Sequence, residues 1–332
     1  MTTLPFIDRL VLPVIAAPML RVSGIELVSA ACRAGVVGAF PTANCRSLDE
    51  LDAWLARLSA EAAAGAAAAS RSGRPHGPYC PNLIMRRDPD RLRAEVELIA
   101  SYRPEVVITS VGSPAAAVPA LHAAGCRVLA DVASLHHARR ALEAGVDGLV
   151  LLTAGAGGHT GWANPFAFVR AVRAFFDGPL VLAGGMADGV AVRAATVLGC
   201  DLVSMGTRFI GTRESLASPA YRDMLRDSSL DDVLTTRAFT GLPANFLLPS
   251  IRRVGLDPQS LDESVTVQEA RSRFGGGADG AVIQRWADLW SAGHSVSGVE
   301  QVATVAEIVE TLRDEFASAA PEARSSSARL SD

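Results

Sequence analysis

The sequence predicts a (β/α)8 barrel, an α/β TIM-barrel fold, with an appended C-terminal lobe over the barrel mouth. Three observations carry that expectation. Eight short apolar runs alternate with helix-like stretches between Val14 and Met205. Most of these runs are apolar throughout, as in a parallel sheet covered on both faces. The eight units fit within residues 1–212, a length suited to one barrel. A doubly wound sheet is the alternative that the same alternation allows.

The elements follow in order. Val14–Ala17 reads as a buried strand stopped by Pro18. Ile25–Arg33 has helical spacing, with Ser23 as its cap and Gly35 beyond its end. Val36–Phe40 is the second strand. Leu48–Ser59 is a helix capped by Ser47, with Leu48, Leu51, Leu55 and Leu58 on one face, and Glu61–Ser70 extends or frays it. Arg71–Pro78 is a polar loop. The next strands are Tyr79–Met85, Val106–Val111, Arg127–Val132 and Gly148–Thr153, with helices over Pro89–Tyr102, Pro114–Ala124 and Leu135–Ala144 between them. A helix over Pro165–Phe176 leads to the strand Leu180–Ala183. Asp188 caps a helix to Leu198, and Leu202–Met205 is the eighth strand.

After Phe209 the alternation stops. Residues 213–298 read as the lobe, with a helix over Ser215–Arg226, mixed structure over Asp231–Val254, a Gly-rich loop over Arg271–Gly280 and a helix over Val282–Ala292. Residues 299–318 are expected to form a terminal helix on the barrel. Residues 319–332 are rich in Ser, Arg and Ala, the composition of a disordered tail.

Composition narrows the function. The chain has 332 residues, is about half apolar and carries a net charge of −4. No basic run is interleaved with aromatics, so nucleic acid is not an expected partner. No apolar run has transmembrane length and the N-terminus lacks a signal-peptide layout, so no membrane is expected. The five cysteines are odd in number and include no C-x-x-C pair, which fits a reducing cytoplasm. The chain contains no lysine, which excludes Schiff-base chemistry. No H-x-H or H-E-x-x-H spacing exists, so no metal centre is expected. Nor is there a G-x-S-x-G nucleophile elbow.

In such barrels the active site lies at the C-terminal ends of the strands, and phosphate often binds after strands seven and eight. Those loops here are Ala183-Gly184-Gly185-Met186 and Met205-Gly206-Thr207-Arg208. Their backbone N–H groups can converge on an anion, and Thr207 adds a hydroxyl. Read alone, either loop is equally a tight turn without a ligand. The sixth strand runs into Ala154-Gly155-Ala156-Gly157-Gly158-His159-Thr160-Gly161-Trp162, where bare backbone surrounds one imidazole. A lone histidine is more often a satisfied residue than a catalyst. His136 and His137 begin a helix, and His76, His122 and His294 lack a comparable setting. Only His159 joins a strand end to flanking glycines. Asn82 ends strand three and needs partners there. Asp131 ends strand five, where a bond to nearby backbone and a role in the site are both open. Met19 after strand one reads as core filler or as support for a flat ring.

These motifs in this order resemble the nitronate monooxygenase (2-nitropropane dioxygenase-like) family of FMN-dependent barrels. The resemblance rests on Pro13–Met19, Asn82, Gly157–Gly161, Ala183–Gly189 and Met205–Phe209, with Ala238–Gly241 and Trp290–Gly293 downstream. It spans almost the whole chain. It implies non-covalent FMN, with the phosphate on Gly184, Gly185, Gly206 and Thr207. Ala17, Pro18 and Met19 would line the ring, Asn82 would bond its polar edge or the ribityl chain, and Gly158 would pass close by. Asp131 is counted with these cofactor-binding residues. His159 would face the substrate. Many members carry Gln and Glu where this chain has Leu152 and Gly155.

Three functions follow from this reading. The first is oxidation of an alkyl nitronate with O2 to a carbonyl compound and nitrite. There His159, with an imidazole pKa near neutral, would hold the anionic nitro group or act as base. The second keeps FMN but uses NAD(P)H to reduce an enoyl thioester or quinone. The third is a flavin-free barrel that binds a phosphorylated metabolite. A small-molecule substrate is the expected partner, and the chain is expected to be a monomer or homodimer.

Overall fold

The computed structural model describes residues 3–73, 75–275 and 283–319. The expected barrel forms. Its strands are β1 (Val14–Ala16), β2 (Val37–Pro41), β3 (Tyr79–Ile84), β4 (Val106–Ser110), β5 (Arg127–Val132) and β6 (Gly148–Leu152). A two-residue strand outside the barrel, β7 (Gly158–His159), follows before β8 (Leu180–Ala183) and β9 (Leu202–Met205). All eight barrel strands are parallel, and β9 pairs with β1 through Ile15↔Ser204 and Ala16↔Met205 to close the ring. Closure leaves no free sheet edge.

Two apolar layers result from the period-2 alternation of the strands. One faces the surrounding helices α1 (Ile25–Arg33), α2 (Leu48–Ser72), α3 (Pro89–Tyr102), α4 (Val118–Ala123), α5 (Leu135–Glu143), α6 (Pro165–Arg173) and α7 (Gly189–Leu198). The other fills the barrel with Ile15, Ala39, Cys80, Ile108, Leu129, Val150, Val181 and Leu202. Leu4 and Phe6 pack against this inner layer from the N-terminal ends of the strands. Two residues further along each strand, the same alternation puts Ala17, Pro41, Asn82, Ser110, Asp131, Leu152, Ala183 and Ser204 at the opposite end, the mouth.

The caps show where local sequence decided structure. Ser47 and Asp188 cap α2 and α7 as expected, each side chain accepting a backbone N–H three residues on. Ser23 does not cap α1. Its hydroxyl donates to Ala17 O at 2.9 Å and accepts from Met19 N at 3.0 Å, so it ties down the β1 loop, and Gly24 is the N-cap. The helix α2 runs to Ser72, past the expected loop boundary, and ends on Gly73.

The lobe follows a short helix, α8 (Thr207–Ile210). It contains α9 (Pro219–Arg226), the antiparallel pair β10 (Val233–Thr236) and β11 (Ala244–Leu247), α10 (Leu248–Arg253) and α11 (Val267–Phe274). Residues 276–280 of the expected Gly-rich loop lie outside the described residues, and its start, Arg271–Phe274, is not loop but the last turn of α11. The helix expected over Val282–Ala292 is absent from its described part, 283–292. Trp286 takes φ +66°, a left-handed conformation that ends a helix, and its neighbours bridge through Arg285↔Leu289. The terminal helix α12 (Val305–Ser318) returns to the barrel and packs on α7 and α1. The expected tail beyond Ala319 lies outside the described residues.

Candidate active site

The loops after β8 and β9 carry unpartnered backbone donors where the sequence suggested an anion cradle. The backbone N–H groups of Gly184, Gly185, Met186, Gly206 and Thr207 donate to no acceptor among the described residues. Gly184 has φ +119°, and a Cβ there would fall 2.5 Å from Thr153 Oγ1, so only glycine fits between β6 and β8. Thr207 is buried. Its Oγ1 accepts from Gly293 N at 2.9 Å, which leaves its own proton to donate. Next to it, the buried Arg208 Nε has no hydrogen-bond partner. Orphan donors of this kind call for an anion.

Met19, Pro18 and Ala17 flank the cradle. A Cβ on Gly206 would lie 3.4 Å from Met19 Sδ and 3.8 Å from Ala17 Cβ. The β1 loop is held by Asn44, whose amide donates to Met19 O at 3.1 Å and Ser23 O at 2.9 Å and whose oxygen accepts from Arg21 N at 2.7 Å. Across the mouth Asn82 is already engaged. It donates to Ser110 Oγ at 3.1 Å and Ile108 O at 3.3 Å, and its oxygen accepts from Ser110 at 3.3 Å. What Asn82 retains for a ligand is acceptor capacity.

Asp131 makes no hydrogen bond or ion pair among the described residues, so its carboxyl is not the backbone partner that one reading allowed. It lies in the layer at the mouth and keeps some accessible surface. Burial pushes its pKa up to about 7.

The glycine-rich stretch is not a free loop. Gly158 and His159 form β7, which pairs antiparallel with β11 through Ala244↔His159 and Asn245↔Gly158. The lobe holds this stretch at several points. Asn245 donates to Ala156 O at 2.7 Å, Ser291 Oγ accepts from Gly158 N at 2.5 Å, and Thr160 N donates to Pro243 O at 3.1 Å. His294 N donates to Gly155 O at 2.9 Å. The His294 ring then covers Gly155, where a Cβ would fall 2.8 Å from Nδ1.

His159 itself faces an aromatic wall built by the lobe. Its ring meets Trp286 edge-on at 5.8 Å, Trp286 stacks on Phe246 at 5.0 Å, and Phe246 contacts Phe239 at 5.0 Å. Burial, with the nearby charge of Arg285, lowers the His159 pKa to about 4. The expectation of an imidazole titrating near neutrality is corrected. It is neutral at pH 7, because its charged form would lose hydration without gaining a carboxylate.

The site therefore joins a backbone anion cradle, a glycine-lined slot and a neutral imidazole under an aromatic wall. Sequence reading placed the loops after β8 and β9 and His159 at the barrel mouth, and the structure brings them to the same end. Sequence reading missed Asn245, Ser291, Trp286, Arg285 and His294. Trp290–Gly293 was noted as motif without a role, and only the tertiary pairing gives it one. Among the described residues no group of His, Cys, Asp and Glu could hold a metal ion.

Comparison with known proteins matches the nitronate monooxygenase family over residues 4–315. The chain belongs to that family. As a nitronate monooxygenase family member it is built on a TIM barrel. It is 32% identical over 177 residues to a nitronate monooxygenase of Paraburkholderia phytofirmans, covering 50% of this chain and 48% of that protein. It is 28% identical over 241 residues to (3aS,4S,5R,7aS)-5-hydroxy-7a-methyl-1-oxo-octahydro-1H-indene-4-carboxyl-CoA dehydrogenase of Mycobacterium tuberculosis, covering 71% of this chain and 62% of that protein. These matches thus span about half to three-fifths of the curated relatives' own length. The solved structure of nitroalkane oxidase from Streptomyces ansochromogenes superposes with a TM-score of 0.75 at 25% identity, covering 94% of this chain and 97% of that one. No helix among the described residues is long and apolar enough to cross a membrane.

Proposed function

We propose that the chain is an FMN-dependent oxidoreductase that converts alkyl nitronates and O2 to a carbonyl compound and nitrite. The observation that carries this is the set of unpartnered backbone donors at Gly184, Gly185, Met186, Gly206 and Thr207, facing the β6–β7 turn that presents His159. FMN fits these residues. The orphan N–H groups, the Thr207 hydroxyl and the buried Arg208 Nε suit a phosphate in a chain without lysine. Met19, Pro18, Ala17 and Gly158 would line a flat ring, with Asn82 and Asp131 on its polar side. FMN, when bound, would accept the electrons of the substrate and pass them to O2.

The protein's own part is binding and orientation. A neutral His159 donates one N–H to a substrate oxygen and keeps its other nitrogen as acceptor. An imidazole with a pKa near 4 is a weak base for carbon acids. The preferred substrate is therefore the preformed nitronate anion rather than the neutral nitroalkane.

The test is a spectrum and a substitution. Purified protein should carry or take up FMN, and nitronate should be consumed with release of nitrite. His159→Asn should cut nitronate turnover about 100-fold or more with FMN still bound. Unchanged turnover would remove His159 from the reaction.

A second reading, reduction of an enoyl thioester or quinone by NAD(P)H, is favoured by the likeness to a CoA-ester dehydrogenase and by Leu152 and Gly155 at the mouth. Rapid anaerobic bleaching of the flavin by NADH or NADPH would support it. A colourless, folded protein that takes up no FMN would favour a flavin-free role instead.

A further inference from the structure

Among the described residues, Arg285 at the aromatic wall has no counter-ion. Its backbone N donates to Phe274 O at 3.0 Å, and its Nη1 donates to Phe239 O at 3.3 Å. The next residue, Trp286, touches the His159 ring. No carboxylate lies within ion-pair distance of Arg285 among the described residues. Its guanidinium is half-buried, and its charged neighbours are of like sign, with Arg271 adding to the positive field.

Two buried carboxylates of this chain are paired. The buried Glu95 carboxylate accepts from Arg87, Arg91 and Thr42. The buried Asp147 accepts from Arg127 at 3.0 Å and contacts His122 at 2.8 Å. A half-buried guanidinium bonded to one neutral carbonyl loses hydration and receives little in return. It retains donors in the fork geometry that matches a planar pair of oxygens.

We propose that Arg285 is the substrate's charge partner, binding a planar two-oxygen anion that His159 also contacts. This deepens the reading above, on which its substrate class rests. A neutral His159 cannot supply the positive charge that a nitronate requires, and Arg285 can. Carboxylates and nitrate present the same pair of oxygens and fit the same donors. The lobe, rather than the barrel, then sets the charge of the accepted substrate.

The test uses nitrate as an unreactive probe on the flavin-loaded protein, followed by flavin absorbance and by NMR of labelled histidine. Arg285→Gln should weaken nitrate binding by about tenfold or more and raise the His159 titration midpoint, because one nearby cation is gone. Arg285→Lys keeps the charge but not the fork. It should hold the midpoint low and bind nitrate with intermediate affinity, and it serves if the Gln variant fails to fold. With nitronate, the Gln variant should lose kcat/KM mainly through KM. Nitrate binding and a His159 midpoint that both ignore Arg285→Gln would overturn the proposal. Arg285-dependent nitrate binding in a protein that does not oxidise nitronates would uphold it and refute the nitronate reaction.

Discussion

Two ionisable side chains at the mouth, His159 and Asp131, are displaced in opposite directions chiefly by one cause, burial. The folded protein resists protonating His159 between its ordinary value and about 4, so stability is lost as pH falls through that window. It resists ionising Asp131 up to about 7, so stability is lost as pH rises from the ordinary carboxyl range towards 7. Each tenfold displacement of proton affinity is worth about 1.4 kcal/mol. Asp131→Asn should therefore raise Tm of the flavin-free protein at pH 8 and leave it almost unchanged at pH 4. A Tm difference independent of pH would show that the carboxyl is not held on its proton by the fold. At this scale the sequence was informative where chemistry is local. His159 and the cradle glycines were legible because backbone freedom and strand ends are written in neighbouring residues. Gly155 was legible as a departure but not as a contact. The imidazole beside it comes from His294, far along the chain, and no local pattern links the two.

At the scale of elements, the strand β11 and the segment 289–294 shape the site from outside the barrel. Asn245 is the central tie, because its amide satisfies Ala156 O and its oxygen accepts from Thr235. Asn245→Ala leaves a buried carbonyl unsatisfied, which costs about 1–3 kcal/mol. The expected outcome is a lower Tm and a fall in kcat; with FMN seated as proposed on the loops after β8 and β9, its affinity should be nearly unchanged. Equal losses in FMN affinity and kcat would place the damage in the cradle instead. The barrel elements were legible because each strand and helix carries its own period. The missing helix at 283–292 was not. Its apolar residues Ile283, Leu289 and Trp290 imitate helical spacing, but they are buried separately, in two clusters of the lobe. Tertiary burial there overrides the local pattern, and the Gly-rich stretch becomes a strand only because β11 supplies a partner.

At the scale of the whole molecule, one barrel interior serves two ends. Phe6, 1% exposed, plugs the N-terminal end, while the polar layer of Asn82, Ser110 and Asp131 lies at the mouth. Stability and function are thus separated along one axis. Phe6→Ala should cost about 3–5 kcal/mol, seen as a large fall in Tm, with FMN affinity preserved in the folded fraction. A specific loss of FMN affinity would show that the two ends are coupled. The architecture was the most legible property, since eight alternating units leave few ways to close a sheet. The position of the lobe over His159 depended on pairings between distant residues and was legible only as a location.

The lobe interrupts the eighth strand–helix unit. β9 ends at Met205, and its covering helix begins at Val305. That helix is then fastened to the start of α7 by Glu315, which accepts from Gly189 N at 2.7 Å, and by Arg193 over the Phe316 ring at 3.8 Å. In folding terms the lobe is a long loop whose closure must be completed before the helical ring is sealed. Loop-closure entropy grows only slowly with length, so the cost falls more on the rate than on the final stability. A ligand seated between the cradle and the lobe bridges both sides of that interruption. Its arrival would act as a late latch on the barrel itself, and the rate of unfolding would become a property that the ligand sets.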